Sequence, residues 1–330
     1  MTTTSRTELE RAEALAEQAL PRDVPRRRML VIVNPYATTV SDRLKNLVVY
    51  ALQSRYEVEA VETEAKLHAT ELTRQAAEDG YEVVVAFGGD GTVNEAANGL
   101  VGTDVPLTCL PGGSTNVFCR LLGIPRDVVD ATEHLLQVAD RFQPRRVDLG
   151  RVNGRHFTFS SGIGLDASVV EQVDSHPRLK ARYTRWYYTY VAISQFMRKY
   201  LVHPPRVEVE VDGQKTEGVT VIVQNADPFT YFGPRPIRVS EGAALDNGTL
   251  SLTVLERASA IDMPTLIPRL FSANAKTVQR HRQVAGFQAI DYAQVRALNG
   301  TFPLQVDGDY IGEFEEVSYG VVPNALAVVA

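Results

Sequence analysis

The sequence predicts an α/β protein in two parts: an open parallel α/β domain, then an antiparallel β-rich domain. Three observations carry this. From residue 29 to about 143, strand-length apolar runs alternate with helix-spaced segments, the pattern of a parallel sheet covered by helices on both faces. Two of those runs open into glycine-rich loops, Gly88-Gly89-Asp90-Gly91-Thr92 and Pro111-Gly112-Gly113-Ser114-Thr115-Asn116. Beyond Arg145 strand-like segments instead flank the turn dipeptides Asn153-Gly154, Asp212-Gly213, Asn247-Gly248, Asn299-Gly300 and Asp307-Gly308, which is hairpin chemistry.

In order along the chain, residues 1–26 read as a lead-in, partly helical or disordered. An exposed helix spans 8–20 and stops at Pro21. Strands follow at 29–33, 56–61, 83–87 and 106–110, with helices at 40–54, 68–77, 93–100 and 117–122. The domain boundary falls at 143–148, giving a nucleotide-binding α/β domain over 27–145 and a β-rich domain over 146–317. Helical segments interrupt the second domain at 183–199 and 263–270.

Composition narrows the function without naming it. A chain of 330 residues at 44% hydrophobic and 22% charged suits two globular domains. A net charge of −6 offers no footprint for nucleic acid, and Arg26-Arg27-Arg28 is too short to make one. Residues 1–26 lack the apolar core of a secretory signal, and no apolar run reaches the length of a bilayer crossing. Membrane contact is therefore expected to be peripheral. Cys109 and Cys119 are the two cysteines, one in a strand and one in a helix, which argues for packing in a reducing cytosol. There is no Gly-Lys dipeptide for a Walker loop, and the six histidines show no zinc spacing. His68 reads as a surface helix residue. Gly162-x-Gly164-x-x-Ala167 mimics a dinucleotide fingerprint without the βαβ context it requires.

The two glycine loops carry the chemistry. Each follows a buried strand and precedes a helix, so each lies at the carboxyl edge where open α/β sheets bind ligands. Glycines let backbone N–H groups approach anionic oxygens, and the following helix adds its positive end. A carboxylate in such a loop would repel phosphate unless a divalent cation stood between them, so Asp90 points to Mg²⁺ with a nucleotide, and to phosphoryl transfer. A plain connector, with Asp90 as a helix N-cap, is the structural alternative.

With Val33-Asn34-Pro35, Asn94-Glu95 behind the first loop, Gly162-Ile163-Gly164-Leu165-Asp166-Ala167, Asn225, Leu245-Asp246-Asn247-Gly248 and Val306-Asp307-Gly308-Asp309 in this order, the chain resembles the diacylglycerol kinase family over most of its length. Sphingosine and ceramide kinases share that catalytic domain, and NAD kinases share its fold more distantly. The resemblance implies an NAD kinase/diacylglycerol kinase-like first domain, with residues 318–330 returning to it. It implies ATP contacts from Asn34, Thr63, Gly88, Gly89, Asp90, Gly91, Thr92, Glu95, Gly112, Gly113, Ser114, Thr115 and Asn116, with Asp90 organising Mg²⁺. Asp309, where similar kinases carry Glu, becomes the proton acceptor, one methylene shorter, and Asp307 beside it reads as part of the tight turn. Asp166 and Arg120 are the implied substrate contacts.

Besides Asp309, three departures from the family pattern stand out. Val117 replaces an acidic residue after Asn116, and Leu165 replaces the usual Phe. Asn247 replaces an acidic ligand of a structural Mg²⁺, where a neutral amide is weaker and a plain type I′ turn explains Asn-Gly adequately. The aromatic stripe Trp186, Tyr187, Tyr188, Tyr190, Phe196 reads either as core or as an acyl-chain cleft. The implied activity is an ATP- and Mg²⁺-dependent lipid kinase, acting on diacylglycerol at the cytoplasmic face of the plasma membrane as a peripheral protein. Analogy allows a homodimer. The alternatives are a kinase for a sphingoid base, a polyisoprenoid or a soluble alcohol, or a nucleotide-binding regulator that has lost turnover.

Overall fold

The computed structural model describes residues 6–18, 26–37, 41–164, 167, 205–259, 262–272 and 274–330. The 183–199 segment with its aromatic stripe, and Leu165 and Asp166, lie outside the described residues. The chain divides into two compact units, Met1–Val147 with Asn324–Ala330, and Asp148–Pro323.

In the first unit, four parallel strands, β1 (Arg27–Val33), β2 (Tyr56–Glu62), β3 (Val83–Gly88) and β4 (Leu107–Pro111), run in the order β2-β1-β3-β4. From β1 the chain steps outward to β2, then crosses back to β3, so the order reverses between β1 and β3. The last residues of β18 (Glu316–Val328) pair parallel with β4 through Val328 and Leu107. Every residue of β3 and β4 is buried, as expected of strands covered on both faces.

The helices show what positions them. α2 (Asp42–Leu52) starts on Ser41, whose hydroxyl accepts from Leu44 N–H. α3 (His68–Glu78) starts on Leu67, in the left-handed region at φ 67° with no capping side chain. The cap comes from a neighbouring helix: Glu95 Oε2 of α4 (Asp90–Leu100) accepts from Ala69 N–H at 3.3 Å. α3 and α4 approach so closely that a Cβ on Gly99 would stand 2.0 Å from Thr73 Oγ1. After α5 (Val117–Leu121), α6 (Val128–Asp140) adds an element that the strand-helix alternation leaves unassigned. Its signal is Asp127, which accepts from Val129 and Asp130 N–H at 2.9 and 3.1 Å.

The N-terminal helix α1 (Arg6–Gln18) differs from the expected exposed segment. Ala12 and Ala16, one turn apart, are buried, and Arg11 pairs with Asp127 and Asp130 ahead of and within α6. Small side chains let it pack where polar composition suggested solvent.

The second unit is a sandwich of antiparallel layers. One layer runs β14 (Val284–Ile290), β13 (Leu250–Leu255), β10 (Thr220–Gln224), β7 (Ser160–Gly164), β16 (Phe302–Val306), β17 (Asp309–Phe314). The other includes β8 (Val207–Val211), β9 (Gln214–Gly218), β15 (Tyr292–Ala297) and residues 316–320 of β18. Alternate residues Val207, Val209 and Val211 of β8 face Ile163, Val221, Val223, Leu252 and Leu304 in one apolar core. Tyr319 crosses it, its hydroxyl 3.0 Å from Ser161 Oγ. β7 is flanked antiparallel by β10 and β16, which removes the dinucleotide reading of Gly162 and Gly164.

Three of the five turn dipeptides put both residues at positive φ, as type I′ hairpins require: Asn153-Gly154 between β5 (Arg145–Val152) and β6 (Arg155–Phe157), Asp212-Gly213, and Asp307-Gly308. Asn247-Gly248 does not. Only Gly248 has positive φ there, at 70°, so the expected type I′ turn is not formed. A hairpin, β11 (Thr230–Phe232) with β12 (Arg235–Ile237), and the helices α7 (Met263–Leu270) and α8 (Lys276–Gln279) complete the unit.

Candidate active site

β3 and β4 end side by side, with Gly88 in register with Pro111, so the two glycine loops leave the sheet together. Gly112 N–H donates to Gly88 O at 2.8 Å. A Cβ on Gly113 would lie 2.8 Å from Gly89 Cα, closer than side chains tolerate. Glycine is required here by backbone meeting backbone. On Gly88 the same addition would strike Thr92 Oγ1 at 2.5 Å.

Asn34 joins this cluster from the end of β1, at the position where the strand order reverses, the place open α/β sheets favour for ligands. Its N–H donates to Phe87 O at 3.0 Å, its Nδ2 donates to Thr92 Oγ1 at 3.1 Å, and its Oδ1 accepts from Tyr36 N–H at 2.9 Å. Thr63, buried at the end of β2, donates its N–H to Val33 O.

Asp90 is not the N-cap of α4. Gly89 holds that position, the helix begins at Asp90 itself, and Gly91 and Thr92 fall inside the first turn. Asp90 Oδ1 accepts instead from Phe118 N–H at 3.2 Å, one of the amides left unpaired by the helix at the start of α5. The carboxylate therefore ties the first loop to the helix after the second. Asn116 shapes the second loop in the left-handed region at φ 48°, its Oδ1 accepting from Gly113 N–H and its Nδ2 donating to Gly113 O. The Ser114 and Thr115 hydroxyls are 3.4 Å apart. Beneath the loops Cys109 and Cys119 are buried free thiols, and burial, then the neighbouring Cys109, push the Cys119 thiol up.

Glu95 turns its carboxylate to the start of α3, and His68 Nδ1 accepts from Glu64 N–H within its own turn. Arg120 is half-buried in α5. Asp309 opens β17 in the second unit, directly after the Asp307-Gly308 turn. Asp307 does more than shape that turn. It is fully buried and accepts four hydrogen bonds: from Thr158 N–H and Oγ1, Phe159 N–H and Ser160 N–H. Burial pushes its pKa up against those donors, which pull it down.

A family model described as the diacylglycerol kinase catalytic domain matches residues 28–152. A second, described as the YegS C-terminal NAD kinase beta sandwich-like domain, matches residues 159–330, more than half of the chain. The chain belongs to the diacylglycerol kinase family. It is 28% identical over 245 residues to a diacylglycerol kinase of Bacillus subtilis, covering 71% of this chain and 75% of that one. With a diacylglycerol kinase of Staphylococcus aureus it shares 26% over 300 residues, covering 87% and 88%. A crystal structure of a Bacillus anthracis diacylglycerol kinase superposes with a TM-score of 0.65 at 21% identity, covering 93% and 98% of the two chains. Yeast NADH kinase superposes at 0.50 and 11%, covering 93% and 84%. The last two show the fold alone, an α/β domain with a β sandwich, as the sequence predicts.

In this member of the diacylglycerol kinase family, the residues can be tested against the Mg²⁺ that the resemblance implies. No group of three His, Cys, Asp or Glu side chains stands together among the described residues. Mg²⁺ does not need one when phosphates and water complete its shell around one or two carboxylates, so Asp90 fits that role. Asn247 uses its amide within its own turn. Its Nδ2 donates to Gly242 O at 2.7 Å and its Oδ1 accepts from Thr249 N–H at 3.1 Å, so the amide closes the turn from within.

Sequence reasoning missed Asp148 and quoted Asn225 within the resemblance without giving it a role. Asp148, buried between Val147 and Leu149, accepts from Gly248 N–H at 2.6 Å. Asn225, wholly buried, donates Nδ2 to Asp148 O and Thr158 O at 2.8 and 2.9 Å. A lone carboxylate inside an apolar run is the signal that could have flagged Asp148.

Proposed function

We propose that this chain is an ATP- and Mg²⁺-dependent lipid kinase that moves the γ-phosphoryl group of ATP to the hydroxyl of a lipid alcohol, diacylglycerol first, giving phosphatidate. The observation that carries the reading is the pair of glycine loops held backbone to backbone at the switch point, with Asp90 linking them. Backbone N–H groups of Gly88–Gly91 and Gly112–Gly113, with the Ser114 and Thr115 hydroxyls, suit a polyphosphate. Asp90 holds Mg²⁺, which supplies charge neutralisation on the phosphates. Asp309 accepts the proton of the acceptor hydroxyl as its oxygen bonds to the γ-phosphorus and the bond to ADP breaks. Diacylglycerol is favoured because it is what the named relatives are named for. A diacylglycerol acceptor lies in a bilayer, so the enzyme works as a peripheral protein. Among the described residues no helix is long and apolar enough to cross a membrane.

Radiolabel transfer from ATP to a panel of lipid alcohols in mixed micelles tests this, with Asp90→Ala and Asp309→Ala as controls. Labelled phosphatidate, lost in both variants, is expected. Label on a soluble alcohol alone would overturn the lipid assignment, and nucleotide binding with no acceptor labelled would leave a regulator.

A further inference from the structure

Far along the second unit, hairpin β11–β12 and helix α7 bring two phenylalanines together. Phe232 and Phe271 meet edge to face, with centroids 6.0 Å apart at 84°. Neither is buried: Phe232 is 43% exposed, Phe271 42%, and Ile267, one helical turn before Phe271, 49%. Arg238 N–H donates to Leu270 O at 3.2 Å, joining hairpin to helix. Single exposed apolar side chains are ordinary, but three large ones on two joined elements mark a surface kept for contact.

Charge says with what. Residues 227–241 and 256–284 hold seven Lys or Arg against four carboxylates, in a chain of net charge −6. Arg269, Arg280 and Arg282 line a cavity of about 400 Å³ with Asp262, Thr265 and His281. Arg282 pairs with Asp262, Arg238 with Asp227 and Lys276 with Glu241, while Arg235, Arg257 and Arg280 pair with no carboxylate among the described residues.

We propose that this face docks on an anionic phospholipid bilayer, with Phe232, Phe271 and Ile267 entering the boundary between headgroups and acyl chains and the arginines contacting lipid phosphates. Exposed aromatic and aliphatic side chains in company with unpaired arginines are the composition of interfacial membrane segments. A second copy of this chain fits poorly, because a two-fold contact would set the same cations against each other. The proposal deepens the lipid-kinase reading by naming the surface that meets the substrate's bilayer, yet its test needs no turnover.

The test is cosedimentation with phosphatidylcholine vesicles, with and without phosphatidylglycerol, in the absence of ATP. Binding is expected only with phosphatidylglycerol and should weaken as salt rises. The double variant Phe232→Ser/Phe271→Ser should lower partitioning at least about tenfold, and Arg280→Glu about fivefold or more, with thermal unfolding matching the parent. Equal binding to neutral vesicles, no binding by the parent, or variants that bind like the parent would each overturn it. So would a double variant that changes oligomeric mass while vesicle binding persists, since the face would then belong to a protein contact. Vesicle binding lost in the variants of a parent that labels no lipid keeps the docking face and rejects the kinase. Labelled lipid with vesicle binding untouched by the variants rejects the face alone.

Discussion

Asp307 Oδ2 accepts from both the backbone N–H and the hydroxyl of Thr158, at 2.6 and 2.8 Å. The contact spans 149 residues and pins the link between β6 and β7 to the turn that delivers Asp309. Asp307 N–H returns the favour by donating to Ser160 O at 2.8 Å. The turn is therefore fixed by its own left-handed backbone and by a buried carboxylate at once.

Replacing Asp307 with Ala would leave four buried donors without an acceptor. Because each such donor costs about 1–3 kcal/mol, the loss should reach at least about 3 kcal/mol in urea unfolding. Burial holds this carboxyl above its ordinary 3.8. Its ionisation therefore costs stability at neutral pH, and that cost shrinks as pH falls through the raised value. Acid lability of the parent should not trace to Asp307, and a steeper acid loss that vanishes in Asp307→Asn would contradict this.

Gly113→Ala tests the loop pair. Its Cβ would press on Gly89 Cα at 2.8 Å and on Asn116 Oδ1 at 3.0 Å, and backbone cannot rotate away as a side chain can. Overpacking of this kind costs about 1–3 kcal/mol, roughly fivefold to a hundredfold in nucleotide affinity if the loops hold phosphate. Calorimetric titration with nucleotide reads it, and an unchanged affinity would move the phosphate site elsewhere.

His156 gives a pH signature. It stands opposite Arg151 in the β5–β6 hairpin, and burial first, then the Arg151 charge, hold its pKa below the ordinary 6.5. Between that lowered value and 6.5 the unfolded chain binds more protons than the folded one, so stability rises with pH. The contribution is complete above 6.5 and is lost as pH falls through the ordinary value towards the lowered one. His156→Gln should flatten the urea midpoint across mildly acidic pH; an unchanged slope would assign the effect to another group.

Asp309→Ala should lower kcat by about 10²–10⁴-fold while nucleotide affinity stays near that of the parent, because a proton acceptor acts during chemistry. Asp309→Glu restores the side-chain length usual in the similar kinases and should keep turnover. Equal collapse of both variants, or none in the alanine, would reject the role. Single-turnover assays separate chemistry from binding.

What the sequence made legible was local. Asn153-Gly154, Asp212-Gly213 and Asp307-Gly308 make type I′ turns because both residues tolerate positive φ, a property of the dipeptide itself. Asn247-Gly248 fails because Gly242 O and Thr249 N–H claim the Asn247 amide, a contact no dipeptide announces. The start of α4 was hidden because Gly91 reads as a loop residue, whereas the helix begins at Asp90 with Gly89 as its cap. The burial of Asp307 depends on partners up to 149 residues away and of Ala12 and Ala16 on helices far along the chain, and neither distance leaves a local pattern.

Asp90 has a structural task and a proposed chemical one, and Asp90→Asn separates them. The amide oxygen can still accept from Phe118 N–H, so α5 should keep its tertiary cap and unfolding should lie closer to the parent than in Asp90→Ala. The lost charge is another matter. A neutral amide is a weak partner for a hard cation, so the Mg²⁺ concentration needed for half-maximal activity should rise and kcat should fall. Asp90→Ala would remove both functions and lose stability as well. If Asp90→Asn titrates with Mg²⁺ like the parent, the carboxylate serves the fold alone and the cation must be sought on other residues.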